Sequence, residues 1–151
     1  MDDEYYMNLA IEQARAAAEI DEVPVGAVII SPDNDIIGTG FNRPIYSNDP
    51  TSHAEINAIR AASSALNNYR LTDTTLYVTI EPCVMCMGAI IHARIKRVVY
   101  GANDPKWGAV SSLYKMAEDT RFNHQPEITS GICEHETRQI LKDFFINKRS
   151  R

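Results

Sequence analysis

The sequence is poor in the features that organise several common protein classes. It has only three cysteines and a single tryptophan among 151 residues, and no apolar run approaching the ~18 residues a membrane-spanning helix needs. Three is too few and too odd a number for a disulfide scaffold. Two of the three lie in Cys83-Val84-Met85-Cys86, a spacing that in a reducing compartment signals metal or redox chemistry. The opening MDDEYY is acidic where a secretory signal is basic, so a cytoplasmic protein without a membrane segment is expected.

Net positive charge is also missing. A formal charge of −5 taken alone argues against a nucleic-acid partner, because phosphate binding normally needs a basic face. The acidity is local, however: residues 1–22 carry a net −6, which leaves +1 for the remainder. Residues 138–151 carry a net +4, which suits a phosphate-facing tail, although basic residues also collect at helix C-termini for reasons of the helix dipole. The length, 44% hydrophobic content and 23% charged content fit one domain spanning residues 1–151, with no repeats or low-complexity stretches.

From Met7, the residues Met7, Ala10, Ile11, Ala14 and Ala18 recur at spacings of three and four, predicting a helix that ends near Ile20. Residues 25–30 and 36–41 read as strands joined by the turn-forming Ser31-Pro32-Asp33-Asn34-Asp35, hence a hairpin. Residues 43–52, with Pro44 and Pro50, read as a loop, and 53–66 as a helix. A β-branched strand at 74–80 ends at Glu81-Pro82, and Pro82 is expected to open a helix running through 83–93. A strand at 97–100, a loop at 101–109, a short helix at 113–118, a strand at 127–132 and a closing helix at 134–148 complete the chain. Strands alternating with helices after a hairpin imply a layered α/β sheet with at least one parallel pair.

The chemistry concentrates at two expected helix starts, His53-Ala54-Glu55 and Pro82-Cys83-Val84-Met85-Cys86. Cys83 and Cys86, three apart, share a helical face and can reach one ion, with His53 as a third ligand. No fourth ligand is evident, and three protein ligands with one open position is the catalytic zinc pattern, not the structural one. On a mid-helix surface Glu55, two residues on, would lie about 200° round from His53, so both can approach one ion only if the metal lies beyond the helix end. There the helix terminus also favours thiolates. A carboxylate beside the metal but not bound to it is suited to carry protons, which assigns Glu55 the catalytic role. A lone histidine is more often structural, and a lone CxxC is as compatible with redox chemistry or half a zinc ribbon. The combination H-x-E then P-C-x-x-C is the signature of zinc nucleobase deaminases.

With these residues in hand, the chain resembles the bacterial tRNA-specific adenosine deaminases, which convert the wobble adenosine of an anticodon to inosine. The likeness runs through Val23-Pro24-Val25-Gly26-Ala27-Val28, Asn42-Arg43-Pro44-Ile45, Asn68-Tyr69-Arg70-Leu71, Arg97-Val98-Val99-Tyr100-Gly101-Ala102 and the closing Phe144-Phe145 as well as the zinc motifs. It implies a three-layer α/β/α sandwich of the cytidine-deaminase type with a five-stranded mixed sheet, one Zn2+ per subunit, a homodimer, and a tRNA anticodon stem-loop as partner, its adenosine flipped into the pocket. It also implies that Asn42 and the Ala54 backbone hydrogen-bond the base, with Val25 in the pocket wall. Asp104 and Lys106 would meet neighbouring nucleotides, and Phe144, Phe145, Lys148 and Arg149 would lie near RNA. Simple core packing for Val25, a turn role for Asp104 and helix packing for one of the two phenylalanines remain open.

Trp107, beside Lys106, is compatible with stacking on a base or with packing, and Cys133 reads as a small buried residue. The acidic N-terminal segment and the short tail point to binding driven by shape and sensitive to salt. A guanine deaminase or other free purine or pyrimidine deaminase shares the same zinc motifs, and a catalytically silent zinc protein that binds RNA is a further alternative. Glu55 argues against the silent protein, which has no chemical need for that carboxylate.

Overall fold

The computed structural model describes residues 2–149, so Arg151 of the basic tail lies outside the described residues. Helix α1 (Asp3–Glu19) begins four residues before Met7, because Asp2 caps it by accepting the Tyr5 N–H at 2.9 Å. Its buried face is Tyr6, Met7, Ala10, Ile11, Ala14 and Ala17. Strands β1 (Gly26–Ile30) and β2 (Ile36–Phe41) pair as the expected antiparallel hairpin, Gly26 opposite Phe41, with a bulge between Ile29 and Ile30. Strand β3 (Thr75–Ile80) runs antiparallel to β1 and parallel to β4 (Arg97–Ala102), which in turn pairs parallel with β5 (Glu127–Thr129). The result is a five-stranded mixed sheet in the order β2-β1-β3-β4-β5.

Every residue of β1 is buried, so the sheet is covered on both sides. Alternation divides the side chains between two cores. Ala27, Ile29, Leu76, Val78, Val98 and Tyr100 face α3 (Ala54–Leu66) and α4 (Val84–Ala93). Val28, Ile30, Tyr77 and Val99 face α1. Helix α5 (Glu134–Arg149) joins that side through Ile140, completing the three layers.

Several segments differ from the sequence expectation, among them β4, which runs two residues past the expected end at Tyr100. Residues 43–52 contain a one-turn helix, α2 (Pro44–Ser47), opened by Pro44 and tied down where the Tyr46 N–H donates to buried Glu22 at 2.7 Å. A single turn is too short to show periodicity. The helix expected at 113–118 contracts to a 3-10 turn, Met116–Glu118, and β5 stops at Thr129, three residues short of Ile132.

One interface decides where α3 sits. Ala54, Ala58 and Ala62, each fully buried, lie over Gly38 and Gly40 of β2. A Cβ on Gly40 would stand 2.6 Å from Ala58 N and closer still to Ala54 O, so helix and strand approach nearer than any other residue permits. Gly40→Ala is therefore expected to lower the unfolding free energy by about 1–3 kcal/mol, read from urea midpoints. A midpoint equal to that of the unsubstituted protein would mean that α3 has room to retreat.

Candidate active site

His53 is the N-cap of α3 (φ −80°, ψ 156°) and Cys83 the N-cap of α4 (φ −80°, ψ 178°), and neither makes a side-chain capping hydrogen bond. Cap side chains ordinarily accept a first-turn amide. Here imidazole and thiol turn toward each other, and Cys86, buried in the first turn of α4, joins them. His53 Nδ1 lies 3.6 Å from Cys83 Sγ and 3.5 Å from Cys86 Sγ, and all three donor atoms fall within 4.8 Å of one another. A tetrahedral zinc with Zn–S of ~2.3 Å and Zn–N of ~2.0 Å requires S···N edges of about 3.5 Å. The donors thus stand at the spacing zinc needs, and two thiols with an imidazole suit that metal over magnesium or calcium.

The helix start differs from the expected one. Pro82 is not the first helical residue: it lies outside α4, where its carbonyl accepts the Ala109 N–H at 2.8 Å. Cys83 is held extended by an antiparallel bridge to Gly108, so the two sulfurs converge from a cap and a first turn, not from one helical face.

Cys83 is pulled down to about 4, first by its hydrogen bond with Cys86, against the opposing effect of burial and with further help from His53. The same bond, reinforced by burial, pushes Cys86 far up. The metal-free pair therefore keeps one proton, on Cys86. Glu55, 3% exposed, is raised to about 7, foremost by burial; its own backbone N–H opposes this and the Cys83 charge adds to it.

His53, Glu55 and Cys83 line a cleft of about 1330 Å³. Val25 and Asn42 line it too, linked by the Asn42 N–H to the Val25 carbonyl at 3.0 Å, while Ala54 is fully buried. Asp104 and Lys106 lie on the rim with Trp107. Asp104 Oδ1 is also a turn former, accepting the N–H groups of Lys106 (3.1 Å) and Trp107 (3.2 Å). Phe145 and Arg149 face the cleft, but Phe144 and Lys148 do not line it. Phe144 is buried, and Lys148 lies 3.8 Å from Asp21 and 5.4 Å over the Phe144 ring. Both follow the phase of Ile140, which packs on the α1 side of the sheet.

The sequence showed Arg138 and Lys142 only as part of a basic tail and left out Leu141 and Ile146, so the α5 stripe was not read as one face. Arg138, Leu141, Lys142 and Ile146 line the cleft with Phe145 and Arg149, at a three-and-four spacing that was legible as one helix face. Sequence reasoning also missed Glu81, a buried cleft residue. The Glu81 carboxylate accepts the N–H groups of Asp104 (3.0 Å), Val110 (3.0 Å), Ser111 (2.8 Å) and Ser112 (3.0 Å), and the Ser112 hydroxyl at 2.5 Å. Burial pushes its carboxyl up, but these donors outweigh burial and hold it below the usual range.

A fold of this topology with paired His and Cys-x-x-Cys helix caps defines a zinc-dependent deaminase domain. A family profile described as the cytidine and deoxycytidylate deaminase zinc-binding region matches residues 1–102. More narrowly, the chain belongs to the tRNA-specific adenosine deaminase family: the Haemophilus influenzae protein of that name is 48% identical over 147 residues, covering 97% of this chain and 85% of its own. A structure from biochemical and structural studies of A-to-I editing by tRNA:A34 deaminases at the wobble position of transfer RNA is 47% identical. It superimposes with a TM-score of 0.87, over 91% of this chain and 99% of that one. Guanine deaminase from Nitrosomonas europaea shares the fold at 22% identity, with a TM-score of 0.78 over 95% of this chain and 84% of that one.

The site predicts that the chain binds one zinc, and that Cys83→Ser, Cys86→Ser or His53→Ala each abolishes stoichiometric binding in metal analysis. Zinc must displace the Cys86 proton, so affinity is expected to weaken as pH falls. With metal bound, a thiol reagent is expected to reach only Cys133 rapidly, and Cys83 as well once a chelator is added, while Cys86 stays buried and protonated. Equal labelling of Cys83 with and without chelator would remove it from the metal site.

Proposed function

We propose that the chain catalyses zinc-dependent hydrolytic deamination of the wobble adenosine in a tRNA anticodon, forming inosine and releasing ammonia. The observation that carries this reading is a buried proton carrier, Glu55, beside a His53/Cys83/Cys86 triad in a wide cleft with a basic rim, in a chain nearly half identical along its length to a tRNA-specific adenosine deaminase. A pocket for a free base or nucleoside is ordinarily roughly 300–1,000 Å³. The larger opening here and the Lys106, Arg138, Lys142 and Arg149 side chains around it suit a polyanion, and disfavour a free-guanine enzyme.

When bound, zinc supplies the Lewis acidity that makes water a competent nucleophile near neutral pH. His53, Cys83 and Cys86 would hold it. Glu55, with its carboxyl near 7, can take a proton from the attacking water and deliver it to the adenine N1 as the C6–O bond forms. Glu55 then takes the remaining proton from the oxygen added at C6 and passes it to the exocyclic nitrogen, so the C6–N bond breaks, ammonia leaves and the C6 carbonyl of inosine forms. Asn42 and the Ala54 backbone would orient the base against Val25, and Asp104 and Lys106 would meet the flanking nucleotides. Phe145 and Arg149 would contact the RNA from α5, with Phe144 and Lys148 supporting that helix from behind. A cytoplasmic location accords with such a substrate; no helix among the described residues is long and apolar enough to cross a membrane.

A homodimer is part of the proposal, and α4 supports it. Its sequence, VMCMGAIIHA, is apolar nearly all round, as expected of a helix covered on every side. Yet Val84 is 48% exposed, and a Cβ on Gly88 would meet nothing within 4 Å among the described residues. A second copy of the chain on this face would complete its burial.

Three measurements test these statements. Purified protein is expected to form inosine in an anticodon stem-loop carrying the wobble adenosine and to leave guanine, adenosine and cytidine unchanged. Glu55→Gln should keep zinc and fold while losing at least ~10²-fold in kcat; turnover of a free base alone would move the protein to the small-molecule deaminases. Gly88→Glu improves helix propensity, so loss of the dimer in light scattering with helix content kept in circular dichroism is expected, and a persistent dimer would put the interface elsewhere.

A further inference from the structure

The chain's only tryptophan is 66% exposed on the rim of the cleft, where burial would ordinarily stabilise so large an apolar side chain. Its exposure does not come from a loose loop. The Trp107 and Lys106 N–H groups are both held by Asp104 Oδ1, and the Gly108 N–H donates to the Asp104 carbonyl at 2.8 Å. Both ends of the loop are fastened to the single Glu81 carboxylate, through Asp104 on one side and Val110, Ser111 and Ser112 on the other. A Cβ at position 108 would strike that carboxylate, so the glycine lets the loop close over it. The indole therefore projects into solvent from a fixed backbone, which is the arrangement of a preorganised contact.

Its position relative to the reacting centre is set by the neighbouring residue. Gly108 is the bridge partner of Cys83, which places the two Cα atoms about 5 Å apart. Trp107 is the next residue in the chain and lines the same cleft as His53, Glu55 and Cys83, which puts its backbone within a residue's length of the metal-binding cap. Around it the rim is aromatic and basic: Tyr114 is 59% exposed, Lys106 precedes the indole, and Lys142 and Arg149 lie on α5 of the same cleft. Interleaved cations and aromatic faces are what single-stranded nucleic acid requires, phosphates meeting charge and bases meeting rings.

We propose that Trp107 is a stacking platform for the unpaired nucleobase adjacent to the one being deaminated, held in place by the Glu81 clamp. This rests on RNA being the substrate. Glu81 acts as a positioning residue: it does not touch the base, but fixes the loop from which the indole projects.

Because Trp107 is the sole tryptophan, emission excited beyond the absorption of the tyrosines reports this position alone. Acrylamide is expected to quench the free zinc-loaded protein strongly. Binding of the adenosine-bearing stem-loop is expected to lower the emission and shield the indole. An abasic nucleotide on one of the two sides of the adenosine is expected to abolish that change while the stem-loop still binds. Trp107→Ala should raise KM for the stem-loop roughly tenfold, with Trp107→Phe recovering most of the loss. Emission unchanged on binding, or an alanine variant with the original KM, overturns the proposal. An indole already shielded from acrylamide without RNA overturns it as well, assigning Trp107 to a contact between copies of the chain. Inosine formed with no change in emission removes the stacking role alone, whereas emission quenched by a stem-loop that is not deaminated removes the substrate reading alone.

Discussion

Three donor atoms on two helices must meet within 4.8 Å, and most of the fold can be understood as the means of holding them there. The requirement falls on helix ends, because His53 and Cys83 are both N-caps. A cap that makes no side-chain capping hydrogen bond forgoes about 1 kcal/mol, so each helix start is weaker than its sequence could have made it, and metal binding supplies the offset. Position therefore has to come from packing. The glycine–alanine seat of α3 on β2 fixes one cap, and the β3–α4–β4 crossover between parallel strands fixes the other. The Cys83–Gly108 bridge removes the last freedom by keeping Cys83 extended.

Two buried carboxylates flank this site and have opposite fates, chiefly through the donors each one finds. Glu55 is buried without enough donors to offset its desolvation, and its carboxyl rises to about 7, where it can gain and lose a proton near neutrality. Glu81 is equally buried, yet it accepts four backbone N–H groups and a hydroxyl, and stays charged. Donor count separates a proton carrier from a fixed charge that organises a loop. Neither role follows from the residue type, since both are glutamates within two residues of a metal ligand.

That difference also marks what the sequence could disclose. Elements longer than one turn were legible from periodicity, and the ligand set from the conjunction of His-x-Glu with Pro-Cys-x-x-Cys. The end-on geometry followed from the two-residue spacing of His53 and Glu55, which no mid-helix arrangement satisfies. Pro82 was misleading because proline suits a first helical turn and also the extended link before a cap, and the bridge to Gly108 that decides between them lies 25 residues away in the chain. Glu81 was silent for the same reason: its partners are residues 104–112, reachable only through the fold. On α5 the basic charges were visible, but their phase against Phe144 and Phe145 was not used, and phase is what turns Phe145 to the cleft and Phe144 to the core side.

A net charge of −5 is at odds with the proposed RNA substrate until the charges are placed. Acids of the N-terminal segment are partly spent on local partners: Asp3 pairs with Arg97 at 2.7 Å, Glu22 accepts the Tyr46 N–H, and Asp21 lies 3.8 Å from Lys148. The rim of the cleft carries Lys106, Arg138, Lys142 and Arg149, and within a Debye length of ~8 Å in physiological salt it is these groups that a phosphate meets. Four cations release few counterions, so electrostatics alone would bind RNA modestly. The rest of the affinity then has to come from surfaces that recognise an unpaired, splayed loop by shape, and the exposed aromatic rim above a narrow, buried proton carrier is the feature of this cleft with that property.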